Sequence, residues 1–287
     1  MILAIVGPTG VGKTKLSIEL AKKYNAIIIN CDAMQVYKDL NIGTAKIKES
    51  EKEGIKHYLF DIVSPDTFYT VCDYQKDARK IIEENIAKNI IFVGGTGLYL
   101  KACLYDYQFS ADNFNNDYAN YANAELLNMC KKIDASCSIH VNNRVRLIRF
   151  LNRGTKPVTN SKELYKSLII GLTTDRDTLY KKIDARVDSM LKEGLEGEAE
   201  SLYTKWGETK ALKTAIGYKE LIAYFKGDIS KEEAINNIKK NSRHYAKRQY
   251  TFFNHQLPVH WYNVNYENFN ETIDKVSEYI DEYLKRQ

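Results

Sequence analysis

The most specific chemical pattern in the chain lies near its amino terminus, where Gly7-Pro8-Thr9-Gly10-Val11-Gly12-Lys13-Thr14 fits the spacing GxxxxGK[ST]. Glycines at these positions let backbone N–H groups surround phosphate oxygens. The charge of Lys13 and the partial positive charge of a following helix would strengthen the attraction. The Thr14 hydroxyl is suited to Mg²⁺. The pattern predicts a site for a magnesium diphosphate and leaves open whether ATP, GTP or a prenyl diphosphate binds there.

A carboxylate, Asp32, follows the apolar segment 26–30. Nucleotide motors usually place an acid after a later strand, but here the apolar segment 90–93 runs into Gly94-Gly95-Thr96-Gly97. Because the carboxyl ends of parallel strands open into one crevice, we expect Asp32 to face the phosphate loop. There it could hold magnesium through water or accept a proton from a substrate amine. A third interpretation is that Asp32 only caps a helix.

Apolar segments that alternate with helical patterns must position these groups. Continuous apolar strands separated by helices are typical of a parallel sheet covered on both faces. We therefore predict an α/β fold with a P-loop parallel-sheet core flanked by helices, a small helical insertion and a helical C-terminal region. The predicted core comprises residues 1–106 and 141–287, and a shortened insertion comprises residues 107–140. The predicted strands are 2–6, 26–30, 90–93 and 168–172, and the first helices are 14–24 and 72–87.

Composition excludes several other classes of protein. The 287 residues contain no apolar run that could span a bilayer, which predicts no membrane association and a cytoplasmic location. The five cysteines are scattered without a CxxC pair. Structural disulfides and a zinc site are therefore not expected.

The net charge of +5 is small, but basic residues cluster in two segments. The segment 234–253 is predicted to be a helix, and its span from Lys239 to Arg248 contains no acidic residue. Such a face favours contact with a phosphate backbone, although a solvated amphipathic helix would look similar. The second cluster is Arg144, Arg146, Arg149 and Arg153, some of which could instead cover a core with their aliphatic stems.

Together, these motifs resemble the tRNA dimethylallyltransferase (tRNA isopentenyltransferase) family over nearly the whole chain. The resemblance includes the phosphate loop and continues through the segments 32–38, 41–46, 57–61, 94–99, 142–149, 215–220 and 245–249. The sequence differs from the usual family pattern at Ala33, Val141, Thr214 and Asn254.

The resemblance implies transfer of a dimethylallyl group from dimethylallyl diphosphate to N6 of the adenosine 3′ to the anticodon (position 37). The implied tRNAs read codons that begin with U, and diphosphate is released. Asp32 matches the family's general base and Thr9 a residue near the bridging oxygen of the diphosphate. Lys13 and Thr14 would hold the diphosphate and Mg²⁺, and Arg176 resembles a further diphosphate contact.

The resemblance also implies a tRNA partner, contacted at the anticodon stem-loop, and a monomeric enzyme. The residues that match tRNA-contacting positions are Asp32, Ala33, Met34, Gln35, Thr96, Val145, Arg146, Arg149, Gly217, Lys219, Lys247, Arg248 and Gln249.

Three other functions compete with this interpretation. A P-loop kinase of small molecules would use the same loop and a carboxylate such as Asp32, but it would not need the basic helix. A related prenyltransferase acting on free AMP should also lack a long tRNA-binding half. A non-catalytic RNA-binding module would have no reason to keep both Lys13-Thr14 and a carboxylate in the crevice.

Overall fold

The computed structural model describes residues 1–109, 118–153 and 159–286, with the backbone alone at residues 153 and 159–161. The described part forms two compact units, Met1–Leu104 with Tyr165–Gln287, and Tyr105–Leu164. Its strands are β1 (Ile2–Val6), β2 (Ala26–Asn30), β3 (His57–Tyr58), β4 (Asn89–Val93), β5 (Tyr105–Tyr107), β6 (Thr159–Glu163), β7 (Ser167–Thr173) and β8 (His260–Asn263). Its helices are α1 (Lys13–Tyr24), α2 (Val71–Glu84), α3 (Gly97–Leu104), α4 (Asn123–Ile133), α5 (Arg144–Arg153), α6 (Arg176–Lys192), α7 (Leu195–Trp206), α8 (Lys210–Thr214), α9 (Tyr218–Phe225), α10 (Lys231–Gln256) and α11 (Phe269–Lys285).

The first unit is built on a six-stranded sheet in the order β3-β2-β4-β1-β7-β8. Every neighbouring pair of strands in it is parallel. The central strand β1 is apolar throughout, and Leu3 and Ile5 have no exposed surface. This burial is what a strand covered on both faces requires. The predicted parallel α/β sheet flanked by helices is confirmed, and the predicted strand 168–172 pairs with β1 as part of β7.

Two short strands of this sheet were not predicted. β3 contributes only two residues and β8 only four, and these two strands form the edges of the sheet. Their pairing depends on the neighbouring strand, because segments this short carry no readable period of their own. Their positions come from tertiary packing.

The register of the parallel strands aligns three chain segments at one edge of the sheet. Ile5 lies opposite Val93, and Asn30 lies opposite the same Val93. The chain leaves β1 into the phosphate loop, β2 into residues 31–32 and β4 into residues 94–96. The Cys31 N–H donates to the Val93 carbonyl at 2.8 Å, which keeps two of the segments together. The edge is therefore where the functional groups must meet.

Two apolar clusters hold the helices of this unit. The first joins the sheet to α1, α6 and α11 through side chains such as Leu16, Ile183 and Ile280. The second joins α7, α8, α9 and α10 to the segment after β2, and it includes Leu40 and Tyr218. The second cluster fixes the C-terminal helices above the loops that follow the strands.

The second unit contains the antiparallel pair of β5 and β6 with α4 and α5. Leu126, Cys130 and Leu147 form its own small apolar core. The insertion predicted from the sequence comprises residues 107–140, of which residues 110–117 lie outside the described residues. The compact unit extends to Leu164 and so includes α5, which was predicted to belong to the core.

The described residues carry no disulfide, and their five cysteines are free thiols. No group of histidine, cysteine or acidic residues within the described ranges is arranged to hold a metal ion by itself. Among the helices of the described part, none is both long and apolar enough to cross a membrane.

Candidate active site

A cavity of about 1140 Å³ lies over the carboxyl ends of β1, β2 and β4. Its wall is built from the phosphate loop, the segments after β2 and β4, and one face each of α6 and α10. Residues 214–217 and 219, from the end of α8 to the start of α9, close another part of the wall. All of these elements belong to the first compact unit.

The phosphate loop has the conformation that its sequence requires. Gly12 adopts a φ of 87°, and α1 begins at the next residue, Lys13. At Gly7 a Cβ atom would lie 2.4 Å from the Leu172 carbonyl oxygen, so only glycine fits against β7. Gly7 and Val11 are buried behind the loop. The cavity is lined by Thr9, Gly10, Gly12, Lys13 and Thr14.

Two cations and one carboxylate determine the electrostatics of the cavity. Lys13 donates from Nζ to the Pro8 carbonyl at 2.7 Å. Desolvation by burial, followed by the nearby charge of Arg186, lowers the pKa of Lys13 to about 7, and Asp32 opposes this shift. Burial also lowers the pKa of Arg186, again against the attraction of Asp32. Two cations that repel each other beside glycine-rich backbone form a site suited to a multiply charged anion.

Arg186 was missed by the sequence analysis, which assigned Arg176 of the same helix instead. Arg176 lies in the first turn of α6, is exposed, and places its guanidinium over the Tyr180 ring. It is not part of the cavity wall, whereas Lys182 and Arg186 are. The ten residues between Arg176 and Arg186 correspond to about 15 Å along a helix. When a helix has several basic residues, its sequence alone does not show which of them faces the site.

Asp32 lies on the cavity wall, and the side chain of Asn30 holds its backbone by hydrogen bonds. The side chain of the buried Asn30 accepts from the Asp32 N–H at 2.9 Å and donates to the Asp32 and Leu59 carbonyls. Asp32 Oδ1 accepts from the Met34 N–H at 2.9 Å. Residues 33–36 form a turn and no helix begins there, so the helix-cap interpretation is wrong, and this oxygen instead stabilises the turn. No hydrogen bond to the other oxygen, Oδ2, occurs among the described residues, which leaves it available for a proton or a ligand.

The turn after β4 connects Asp32 to α10. Thr96 Oγ1 accepts from the Ala33 N–H at 3.0 Å. Gln249 is buried in α10 and donates from Nε2 to the Gly95 carbonyl at 3.0 Å. A Cβ atom at Gly95 would lie 2.0 Å from that nitrogen, so the turn and the helix approach as closely as a glycine permits. Gln249, expected to contact tRNA, therefore has a structural hydrogen bond within the protein.

Tyr245 of α10 is a second wall residue that the predicted site omitted. It lines the cavity between the glycine turn and Arg248. Burial, with the charge of Asp32 as the next cause, raises the pKa of Tyr245, so its phenol remains protonated. Its position in the motif 245–249 was visible in the sequence, but the motif alone did not distinguish a wall residue from a core residue.

The remaining expected contacts on this wall come together. Ala33, Met34, Gln35, Thr96, Gly217, Lys219 and Arg248 all line the cavity. Two of the positions that depart from the usual family pattern, Ala33 and Thr214, lie there as well. The Gln35 side chain donates to the Thr44 carbonyl at 3.0 Å, which keeps it in a defined position.

Two basic residues of α10 form ion pairs that the sequence did not predict. Lys239 pairs with Asp188 at 2.6 Å, and Arg243 pairs with Asp184 at 2.5 Å. Both acids belong to α6, so a search for acids within the helix itself could not find them. Lys247 and Arg248 are exposed and make no ion pair with any described residue. The same holds for Lys240, so the cations of α10 without an ion pair to a described residue are Lys240, Lys247 and Arg248.

In the second unit, α5 exposes Val145, Arg146 and Arg149. Val145 is 66% exposed, which is high for an apolar side chain. Arg144 has a different role, because its guanidinium donates to the Tyr118 and Tyr121 carbonyls. Arg144 is therefore engaged in hydrogen bonds within the second unit, and the side chain of Arg153, the fourth member of the cluster, lies outside the described residues.

Comparison with known proteins gives a consistent result over the length of the chain. Residues 35–256 match the family described as IPP transferase. A tRNA dimethylallyltransferase of Fusobacterium nucleatum is 47% identical over 277 residues, covering 92% of this chain and 91% of the relative. The tRNA dimethylallyltransferase of Bacillus subtilis strain 168 is 42% identical, covering 92% and 90%.

Solved structures show the same similarity. The full-length tRNA isopentenylpyrophosphate transferase of Bacillus halodurans has a TM-score of 0.78 at 38% identity, and the alignment covers 99% of this chain and 97% of that one. A eukaryotic dimethylallyltransferase, described as acting on tRNA, has a TM-score of 0.76 at 28% identity, with 91% and 73% covered.

Proposed function

The chain belongs to the IPP transferase family, and on this premise we propose that it transfers a dimethylallyl group from dimethylallyl diphosphate to N6 of an adenosine in tRNA. The acceptor in this proposal is the adenosine 3′ to the anticodon in tRNAs that read codons beginning with U. One observation carries the proposal. The phosphate loop, Arg186 and the carboxylate Asp32 line one cavity, so an anionic leaving group and an amine nucleophile can be bound together.

The diphosphate would occupy the end of the cavity at the phosphate loop. Backbone N–H groups of the loop, with Lys13 and Arg186, stabilise the negative charge that grows as the allylic C–O bond breaks. Thr9 lies on the same wall and can donate its hydroxyl hydrogen to the bridging oxygen. Arg186 takes the role that the sequence analysis assigned to Arg176.

The residues present also fit a magnesium ion. Thr14 is exposed at the start of α1 and supplies a hydroxyl on the cavity wall. Mg²⁺ in protein sites usually binds one or two protein oxygens together with substrate phosphates and water. We propose that Thr14 holds it together with the diphosphate, which leaves Asp32 Oδ2 free to act as the base. The ion would neutralise part of the charge on the leaving diphosphate.

The amine end of the reaction is assigned to Asp32. The adenine amine is a weak nucleophile, because its lone pair is conjugated into the ring. In the transfer, the N6 lone pair forms a bond to the allylic carbon and the electrons of the C–O bond leave with the diphosphate. One N6 proton passes to the Asp32 carboxylate. The oxygen Oδ2 is suited to this role, since Oδ1 already accepts from Met34.

The tRNA would contact basic groups at the cavity mouth and beyond it. Lys219 and Arg248 line the cavity, and Lys247 is exposed next to Arg248 on α10. An adenosine in an anticodon loop is not base-paired, so little free energy is needed to flip it out of its stack. We assign Val145, Arg146 and Arg149 to a further tRNA contact. A tRNA acceptor supports a cytoplasmic location.

Transfer of labelled dimethylallyl diphosphate tests the proposal. The acceptors are unmodified tRNA with adenosine 3′ to the anticodon, the same tRNA with guanosine at that position, and AMP, each with Mg²⁺. Label in the first tRNA alone is the expected result. Label in AMP would show that the acceptor is a nucleotide, and label in none of them, with ATP-dependent phosphorylation of a small metabolite, would indicate a kinase.

A further inference from the structure

Glu198 of α7 binds the backbone of a loop that lines the cavity, although its side chain is not part of the cavity wall. Its Oε2 accepts from the Asn41 N–H at 3.1 Å and from the Ile42 N–H at 2.9 Å. Its Oε1 accepts from the Ile42 N–H at 2.9 Å and the Gly43 N–H at 3.2 Å. Three successive N–H groups on one carboxylate form a nest of the kind that usually binds a free anion. Here the protein supplies the anion itself.

Tyr218, the first residue of α9, completes this contact. Its hydroxyl donates to Glu198 Oε1 at 2.5 Å, and the side chain is fully buried. A Cβ atom at Gly43 would lie 2.5 Å from the Tyr218 ring, so the loop backbone packs directly on the ring. Burial and the Glu198 carboxylate raise the pKa of Tyr218, so the phenol remains a hydrogen-bond donor.

The far end of the same loop, residues 41–46, is anchored independently. The buried Lys46 donates to the Tyr37 carbonyl at 2.7 Å and to Asp61 Oδ1 at 2.5 Å. Between the two anchors, Ala45 adopts a φ of 45° in the left-handed region. That conformation costs energy for a residue with a side chain, and it persists because both ends of the loop are fixed.

The loop in turn holds Gln35 in the cavity. Gln35 donates from Nε2 to the Thr44 carbonyl at 3.0 Å and to the Ala45 carbonyl at 3.4 Å. Gln35, Thr44 and Ala45 all line the cavity beside Asp32. A displacement of residues 41–45 would therefore move the hydrogen-bond partners of Gln35, which lies three residues after Asp32.

We propose that Glu198 and Tyr218 are positioning residues that fix the loop 41–46 and, through it, orient Gln35 toward the acceptor base. The proposal rests on the proposed function, because it assigns the Gln35 side of the cavity to the acceptor and the phosphate loop to the diphosphate. Neither residue touches a substrate. Their effect should appear in the binding of the acceptor and leave the diphosphate end unchanged.

The first test is a comparison of Michaelis constants for Glu198→Gln. An amide presents a single acceptor oxygen and places an NH₂ group against N–H donors. We expect the KM for tRNA to rise about tenfold, the loss of a hydrogen bond to a charged group. The KM for dimethylallyl diphosphate should stay within about twofold. Tyr218→Phe keeps the ring against Gly43 and should raise the KM for tRNA about threefold.

Glu196→Gln is the matched control, since Glu196 lies on the same helix in a surface ion pair with Lys231. It should change neither constant by more than about twofold. A general loss of stability in Glu198→Gln would reduce the active fraction and lower kcat without separating the two KM values. Equal increases in both KM values would overturn the proposal.

A double-mutant cycle with Gln35→Ala tests whether the effect passes through Gln35. Residues that act through one another give non-additive changes. If Glu198 acts through Gln35, Glu198→Gln should raise the KM for tRNA less than about twofold in the Gln35→Ala background. The same tenfold increase in both backgrounds would contradict the proposal.

Hydrogen exchange separates failure of this proposal from failure of the proposed function. The N–H groups of Asn41, Ile42 and Gly43 should exchange faster in Glu198→Gln than in the wild-type protein without any substrate. If the wild-type protein transfers no label to tRNA, the proposed function fails and the assignment to the acceptor fails with it, whatever the exchange result. If transfer is normal but the exchange and the KM for tRNA are unchanged in the variant, the positioning role alone is wrong.

Discussion

At the scale of single residues, the two oxygens of the Asp32 carboxylate differ in their surroundings. Oδ1 is occupied by the Met34 N–H, and the side chain of Asn30 fixes the backbone of Asp32. The proposed proton transfer is therefore assigned to Oδ2, which has no hydrogen-bond partner among the described residues. A substitution that keeps an acceptor for the Met34 N–H and removes the carboxylate can test this assignment.

Asp32→Asn is that substitution, because the asparagine amide oxygen can also accept the hydrogen bond from the Met34 N–H. We expect kcat for transfer to fall by at least about a hundredfold, the usual contribution of a general base. Binding of tRNA, measured by fluorescence anisotropy, should remain close to that of the wild-type protein. Turnover near the wild-type rate would remove Asp32 from the mechanism.

Arg186 and Arg176 offer a second test at this scale, because both lie on α6 and only Arg186 lines the cavity. Arg186→Met should raise the KM for dimethylallyl diphosphate about tenfold, as expected when a charged hydrogen bond to an anion is lost. Arg176→Met is the matched control and should change it less than about twofold. If the effects of the two substitutions were reversed, the sequence-based assignment to Arg176 would be the correct one.

At the scale of elements, α10 contributes to three different surfaces. Its N-terminal half is paired with α6 through Lys239 and Arg243. Its middle closes the cavity with Tyr245 and packs Gln249 under the glycine turn. Lys247 remains on the exposed side. The sequence of α10 does not show which of its basic residues belong to which surface, because the acids that pair with them lie on another helix.

Lys247→Ala and Lys239→Ala separate free charge from paired charge on this helix. Loss of Lys247 should weaken tRNA binding and reduce the slope of log affinity against log salt concentration by about 0.7 to 0.9, the value of one phosphate contact. Lys239 already has a carboxylate partner, so its loss should leave the slope unchanged. Affinity would be measured between low and physiological salt. An unchanged slope for Lys247→Ala would show that this part of α10 does not contact tRNA.

At the scale of the whole molecule, the second unit leaves and rejoins the first at adjacent residues. The Tyr165 N–H donates to the Leu104 carbonyl at 3.3 Å. Each unit has its own apolar core, one around the sheet and one around Leu126 and Leu147. A segment whose ends are hydrogen-bonded to each other can be shortened without stretching the remaining chain.

Replacement of residues 105–164 by a short glycine-serine linker tests this division. We expect the shortened protein to unfold cooperatively and to bind dimethylallyl diphosphate with an affinity within about threefold of the full chain. Binding of tRNA should weaken, because Val145, Arg146 and Arg149 are removed. Calorimetry with each ligand would measure both effects. Loss of diphosphate binding together with loss of folding would show that the two units depend on each other.

The sequence by itself determined the parallel α/β core, the phosphate loop and the position of Asp32 after the second strand. These features follow from local patterns: apolar runs, glycine spacing, and the rule that parallel strands open at one edge. It also identified the segments from which most of the cavity wall is built, through motifs that resemble one family.

Only the tertiary structure decided which groups within those segments are available. It placed Arg186 on the cavity wall and Arg176 away from it, paired Lys239 and Arg243 with acids of α6, and attached the loop 41–46 to Glu198 of α7. The short edge strands β3 and β8 were decided in the same way. The physical reason is common to all four cases. Each depends on contacts between residues distant in the chain, and charge type or hydropathy within one segment does not specify its partner in another.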